Sequence, residues 1–216
     1  MTFFLLRGLL ECMIEVSLLF SILSGIFIFW GYFVYNEDIF RDVSSPNVTT
    51  WGIWTTTSLI NTTSYFSMTT DFFKVIVPLI EIIACLFTFL YALSHKKNIA
   101  SISTTDIFTL IIGTISIFVW WLFRSATFAN MIVQIAFIAG FAATYTSTWN
   151  NPNSEKAFPW ILFSFSYAFL LITVILRWSR TIPELVFPIL GTATHFGLVF
   201  LIIFRTKFLK RITPAT

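Results

Sequence analysis

Apolar runs broken by short polar stretches recur seven times along the chain, at roughly 9–34, 50–69, 74–94, 106–123, 127–148, 159–177 and 185–204. A helix needs about 20 mainly apolar residues to cross ~30 Å of hydrocarbon, and each run meets or approaches that length. The pattern predicts an all-α integral membrane protein with seven transmembrane helices. The run Asp106–Arg124 sets the plan, with 17 uncharged residues between its end charges and Trp120 and Trp121 at interfacial depth. Three runs precede it and three follow. Because three crossings are an odd number, a second copy placed directly after the first would be upside down. One extra crossing restores the orientation. The expected architecture is therefore two parallel three-helix repeats joined by an inverting fourth helix. Residues 1–97 form the first repeat, with an acidic loop over 35–49. Residues 98–125 hold the linker helix, 126–207 the second repeat and 208–216 a basic tail.

Internal similarity points the same way. Pro46-Asn47 leads into Trp54, Ser58 and Asn61, and Pro152-Asn153 leads into Trp160, Ser164 and Tyr167, 106 residues later without a gap. Further on, KVIVPLIEI from Lys74 and ELVFPILGT from Glu184 set Pro78 against Pro188, which needs four more residues of offset.

Composition sharpens the picture. Of 216 residues, 57% are hydrophobic and 11% charged, and Phe alone supplies 27. Soluble domains carry about 25% charged residues, so this much apolar surface calls for lipid as solvent. The net charge of +3 sits at run ends rather than in a patch, which excludes a nucleic-acid footprint. Cys12 and Cys85 fall inside apolar runs and make neither a disulfide framework nor a metal spacing. There is no Gly-rich phosphate loop, no HExxH and no Lys in the seventh run, so neither cofactor nor metal is expected. The N-terminus reads as a retained helix, lacking a small-residue cleavage pattern.

Lys and Arg asymmetry gives the orientation. With the N-terminus outside, the inner side holds Arg41, Lys96, Lys97, Lys156, Arg205, Lys207, Lys210 and Arg211, against Arg7, Lys74, Arg124, Arg177 and Arg180 outside. The C-terminus is then cytoplasmic, and its basic tail either anchors topology or touches anionic lipid.

Candidate chemistry lies at polar residues within the runs. Trp51, Trp54, Ser58, Asn61 and Tyr65 step by three and four, so they share one helical face. Trp160, Ser164 and Tyr167 do the same in the sixth run. If the repeats pack about a pseudo-two-fold axis, the two stripes wall an aromatic cavity with a few polar groups, the usual character of a small-ligand site. The competing reading is helix glue, since hydroxyls and amides bond across packed helices. For the remaining hydroxyls of the second run, glue is the better reading. Asn130 and Gln134 in the fifth run offer the same two alternatives. Glu81 and His195 are ionisable groups inside spans and so count as functional candidates. A Glu–His pair would carry protons; alternatively Glu81 snorkels and His195 bonds a carbonyl. Glu11 and Glu15 either bind a cation or mark the interface. Pro78 and Pro188 are hinge candidates that free backbone carbonyls at matching places. The sequons at Asn47 and Asn61 fall on the predicted inner side and within a span.

In its architecture, and in the stretch QIAFIAGFAATYTSTWNNPNSEKAFPW from Gln134 to Trp160, the chain resembles the SWEET, PQ-loop and PnuC transporters. It departs from them where Ala142-Ala143 stand in place of Pro-Gln, and where Glu81, Cys85 and His195 stand in place of asparagines. The resemblance implies facilitated diffusion by alternating access, with Trp54 and Trp160 the positions that carry over. The expected function is transport of a small polar solute, such as a sugar, a nucleoside-like molecule or a vitamin precursor. Its partners are membrane lipid and the solute, and the sequence leaves room for a homo-oligomer. Two alternatives stay open: a membrane enzyme or lipid-handling protein using Glu81 and His195, and a non-catalytic subunit of a membrane complex.

Overall fold

The structure, a computed structural model, describes residues 2–41, 48–94, 104–150 and 155–212. These form seven helices: α1 (Thr2–Phe40), α2 (Val48–Thr69), α3 (Phe72–Ser94), α4 (Thr104–Phe123), α5 (Ala126–Asn150), α6 (Ala157–Leu176) and α7 (Pro183–Ile212). No strand occurs among the described residues. Pro46, Asn47, Lys96, Lys97, Pro152 and Asn153 lie outside the described residues.

Two boundaries differ from expectation. The acidic stretch after Val34 is largely helical, because α1 continues to Phe40. Glu37 pairs with Arg41 one turn on, at 2.5 Å. Asn36 donates from Nδ2 to the Tyr32 carbonyl at 2.8 Å and accepts from the Thr88 hydroxyl at 2.8 Å, which ties the end of α1 to α3. At the other terminus α7 runs to Ile212, so residues 208–212 extend a helix rather than start a separate tail.

The molecule is apolar outside, and its apolar core also takes in polar groups. Phe29, Ile83, Trp121 and Phe200 are exposed, while Ser17, Ser21, Ser24, Asn61, Glu81 and His195 are buried. Burying polar groups and exposing phenylalanines is stable only where hydrocarbon is the solvent. Five helical segments are long and apolar enough to cross a membrane: Glu11–Phe40, Phe72–Ser94, Ala126–Asn150, Ala157–Leu176 and Pro183–Thr206. The apolar part of α4, Ile111–Phe123, is shorter. α2 is too rich in hydroxyls to meet that composition, yet most of those hydroxyls bond backbone carbonyls, Thr69 being a buried exception. Thr55, Thr63, Ser64 and Ser67 each donate to the carbonyl four residues back, at 2.7–2.8 Å. The Thr62 hydroxyl donates instead to the Pro78 carbonyl of α3 at 2.9 Å.

α3 packs on α1 and α2, and α7 packs on α5 and α6. Between these groups, α1 lies on α6 and α2 on α5, with smaller contacts of α3 on α6 and of α2 on α7. Exchanging α1 with α5, α2 with α6 and α3 with α7 leaves this set of packed pairs unchanged. α4 stands outside the scheme, against α5 and α2. The buried face of α1 carries Ser17, Ser21, Ser24 and Gly25, small enough for neighbouring helices to approach closely. Hydrogen bonds from Ser21 to the Phe73 carbonyl (2.9 Å) and from Ser166 to the Ser24 carbonyl (2.8 Å) fix α3 and α6 against it.

Candidate functional site

The helices enclose a cavity of about 110 Å³. Trp54 and Ser58 of α2 and Trp160 and Phe163 of α6 form two of its walls, and Phe137 and Phe141 of α5 a third. Tyr32 of α1 closes the remaining side. The rim holds Tyr35, Trp51, Thr144 and Glu155, all half-buried. The floor holds Glu81 and Cys85 of α3 and His195 of α7, all buried. The rim residues lie near the end of α1, the start of α2, the end of α5 and the start of α6. The cavity therefore runs inward from that end of the bundle to about half its depth.

The aromatic walls are fixed by their neighbours. The Trp54 ring meets Phe137 and Phe141 edge-on, at centroid distances of 5.8 and 5.7 Å. A Cβ at Gly140 would lie 2.9 Å from the Trp54 ring, so only glycine at that position of α5 lets the indole sit there. Trp160 donates its indole N–H to Glu155 at 2.9 Å and lies 5.6 Å from the His195 ring. Burial raises the Glu155 pKa, and the Trp160 N–H offsets part of that effect.

At the floor, the Tyr167 hydroxyl donates to Glu81 Oε1 at 2.5 Å. The Tyr167 ring stacks on His195 with centroids 4.6 Å apart. His195 Nδ1 lies 2.6 Å from the Gly191 carbonyl; an acceptor there requires that this nitrogen carry the proton. Gly191 also admits the Tyr167 ring, which a Cβ would overlap. Glu81 and His195 form no direct pair: Tyr167 stands between them, bonded to Glu81 through its hydroxyl and stacked on His195 through its ring. Tyr167 acts from behind the floor rather than on the wall. Beside Glu81, the Cys85 thiol lies 3.4 Å from the Tyr32 hydroxyl and 3.8 Å from the Ser58 hydroxyl.

Asn61, Asn130 and Gln134 do not line this cavity. They form a cluster between α2 and α5, where Asn130 Nδ2 donates to Asn61 Oδ1 (3.1 Å) and Ser64 Oγ (3.0 Å) and Gln134 Nε2 donates to Asn61 Oδ1 (2.9 Å). Gln134 Oε1 is buried without a hydrogen-bond partner. Only a pocket of about 10 Å³, lined by Ser58, Asn61, Glu81 and Gln134, adjoins the cluster. That volume is too small for a solute larger than one water. Ser164 also turns away, donating to the Trp160 carbonyl at 2.7 Å.

The opposite end of the bundle is closed by charge. Lys74 Nζ lies 2.7 Å from Glu184 Oε2, and the Arg177 Nε lies 2.7 Å from Asp71 Oδ2. Lys74 also donates to the Ser179 hydroxyl at 3.1 Å, and Arg177 to Ser17 at 3.2 Å. In the sequence Lys74 and Arg177 count only as orientation charges, because nothing local marks Glu184 and Asp71 as their partners. Between these pairs and the cavity floor lie the buried rings of Tyr65, Tyr167 and Phe187.

Pro78 and Pro188 each sit in the second turn of their helices, which continue through them. Pro188 lacks the N–H that would bond the Glu184 carbonyl. The Tyr65 hydroxyl of α2 donates to that carbonyl instead, at 2.8 Å. Glu11 and Glu15 are exposed near the start of α1, and no group of three metal-ligating side chains exists among the described residues.

No protein-family model matches the chain, and searches of curated proteins and of solved structures find no match either.

Proposed function

We propose that the chain is a multi-pass transporter of a small polar solute. It spans the membrane seven times, as two parallel three-helix repeats joined by α4, on the SWEET, PQ-loop and PnuC plan. Its N-terminus is outside and its C-terminus cytoplasmic, so the cavity faces the cytoplasm. The solute binds between Trp54 and Trp160, with Ser58 and Glu81 reading its polar edge. Alternating access follows when the two three-helix groups rock, closing the rim and parting the Lys74–Glu184 and Asp71–Arg177 pairs.

The observation that carries this reading is the combination of a half-depth cavity, walled by tryptophans from α2 and α6, with a far end sealed by two ion pairs. A transporter paused in one state has that form. The unchanged packing under exchange of α1–α3 with α5–α7 supports the duplicated plan. The hydroxyls of Thr55, Thr63, Ser64 and Ser67, each bonded to a carbonyl of α2, support its crossing despite its composition.

The test is a double Trp54→Ala, Trp160→Ala variant, screened for stabilisation by sugars, nucleosides and amino acids. A bound solute raises the stability of the folded state. The wild type is expected to be stabilised by at least one solute, and the variant, at equal folded yield, by none. Binding and uptake that survive the double change would remove the site from these residues.

A further inference from the structure

We propose that the solute taken by this cavity is a small organic cation, held by the Glu81 carboxylate against the surrounding aromatic faces. The inference rests on the transporter reading and specifies its substrate class.

Glu81 sits half-way along the bundle at 7% exposure. Tyr167 occupies its Oε1 at 2.5 Å, and its Oε2 has no hydrogen-bond partner among the described residues. Among the described residues no lysine or arginine lines the cavity. The nearby basic groups are committed at the far end, Lys74 to Glu184 and Arg177 to Asp71. His195 makes no ion pair with Glu81 among the described contacts: its Nδ1 bonds the Gly191 carbonyl and its ring lies on Tyr167. The other polar groups at this level, Tyr32, Ser58 and Cys85, are neutral hydrogen-bonding groups. A carboxylate held at membrane depth with one hydrogen bond and no counter-charge is costly unless it takes up a proton or binds a cation.

The walls select the kind of cation. Indole, phenol and phenyl rings present faces of negative potential that attract ammonium groups, most strongly when these are poorly hydrated. Trp54, Trp160, Phe137 and Phe141 surround the space above Glu81, and Glu155 adds a second carboxylate at the rim. A hydrated metal ion gains little from such walls. The cavity of about 110 Å³ is well under the ~300 Å³ lower bound for drug-sized ligands. It suits a trimethylammonium-sized head group and not a disaccharide.

The experiment compares choline with 3,3-dimethylbutan-1-ol, in which carbon replaces the quaternary nitrogen at nearly the same shape. Binding to the purified full chain is read by tryptophan fluorescence and thermal stability at constant sodium chloride. Choline is expected to bind at least about tenfold more tightly than its neutral isostere. Glu81→Gln keeps an acceptor for Tyr167 and is expected to lose at least about tenfold in choline affinity, with the isostere unchanged. Glu81→Asp, which keeps the charge, is expected to recover part of that loss, and Glu155→Gln to lose less than Glu81→Gln. Equal binding of choline and the isostere, no choline binding, or choline binding untouched in Glu81→Gln overturns the proposal. If neutral sugars or nucleosides bind in a Trp54-dependent way while choline does not, the substrate class falls and the transporter reading stands. If sodium alone produces the full response, the organic cation is likewise overturned.

Discussion

The Lys74 ammonium and the Glu184 carboxylate, drawn from opposite halves of the chain, meet at 2.7 Å with their side chains 1% and 3% exposed. Each heads the segment that carries a proline four residues later, Pro78 or Pro188. Under the proposed two-fold relation these are equivalent positions, and equivalent residues touch only close to the axis. The pair therefore does two things at once: it seals one end of the cavity and marks where the two halves meet.

Removing one member of a buried pair leaves the other charge uncompensated, at a cost of about 3–5 kcal/mol. Glu184→Gln and Lys74→Met are each expected to lower the melting temperature sharply. The reversed pair, Lys74→Glu with Glu184→Lys, is expected to recover more than half of the loss. Thermal unfolding of the four proteins checks this, and a reversed pair no more stable than either single variant would show that the contact contributes nothing.

The amide cluster of α2 and α5 should behave as structure and not as a binding surface. Asn61→Ala strands the donors of Asn130 and Gln134, at a cost of about 1–3 kcal/mol. Its ligand affinity is expected to stay within about twofold of wild type, because the amides lie off the cavity wall. Parallel melting and binding curves separate the two effects.

Tyr167 links Glu81 to His195 only because Gly191 leaves room for its ring. Gly191→Ala forces the ring aside, an overpacking that costs about 1–3 kcal/mol. The expected outcome is a less stable protein with weakened choline binding. A variant that melts lower but binds as wild type would uncouple Tyr167 from the site.

Glu155 gives a pH signature. Burial raises its pKa in the folded state, so within the window between the unfolded and folded pKa values the folded form binds more protons than the unfolded one. Stability from this group is then greatest below the unfolded value and declines as pH rises to the folded value. Glu155→Gln, whose amide oxygen still accepts from Trp160, is expected to gain on wild type at pH 7 and not at pH 4. Melting temperatures of both proteins at the two values test the sign.

Much of the scaffold was legible in the sequence because span length and hydropathy are local properties. Apolar runs ended by Lys96, Arg124 or Arg177 mark helices with no knowledge of their neighbours. The extension of α1 past Val34 was not legible: Glu37 and Asp38 look like loop residues until the Glu37–Arg41 pair and the Asn36–Thr88 bond are seen. The tryptophan stripe pointed to the cavity through simple helical spacing. That spacing could not separate Trp54, which lines the cavity, from Asn61 on the same face, which meets Asn130 and Gln134 two turns deeper. Cys85, Tyr32 and Glu155 carry no local signal, since only the packing of α1, α3 and α6 brings them to one space. The Lys74–Glu184 contact is likewise a product of tertiary structure, 110 residues apart in the chain.

The most direct measurement asks whether the cavity wall at Ser58 is reached from both faces of the membrane. Ser58→Cys in a Cys12→Ser, Cys85→Ser background, placed in oriented vesicles, is exposed to a membrane-impermeant thiol reagent from one side at a time. The account predicts modification from the cytoplasmic side and, more slowly, from the outside, with Glu184→Gln accelerating the outside reaction. Modification from one side only, unchanged by Glu184→Gln, would contradict it.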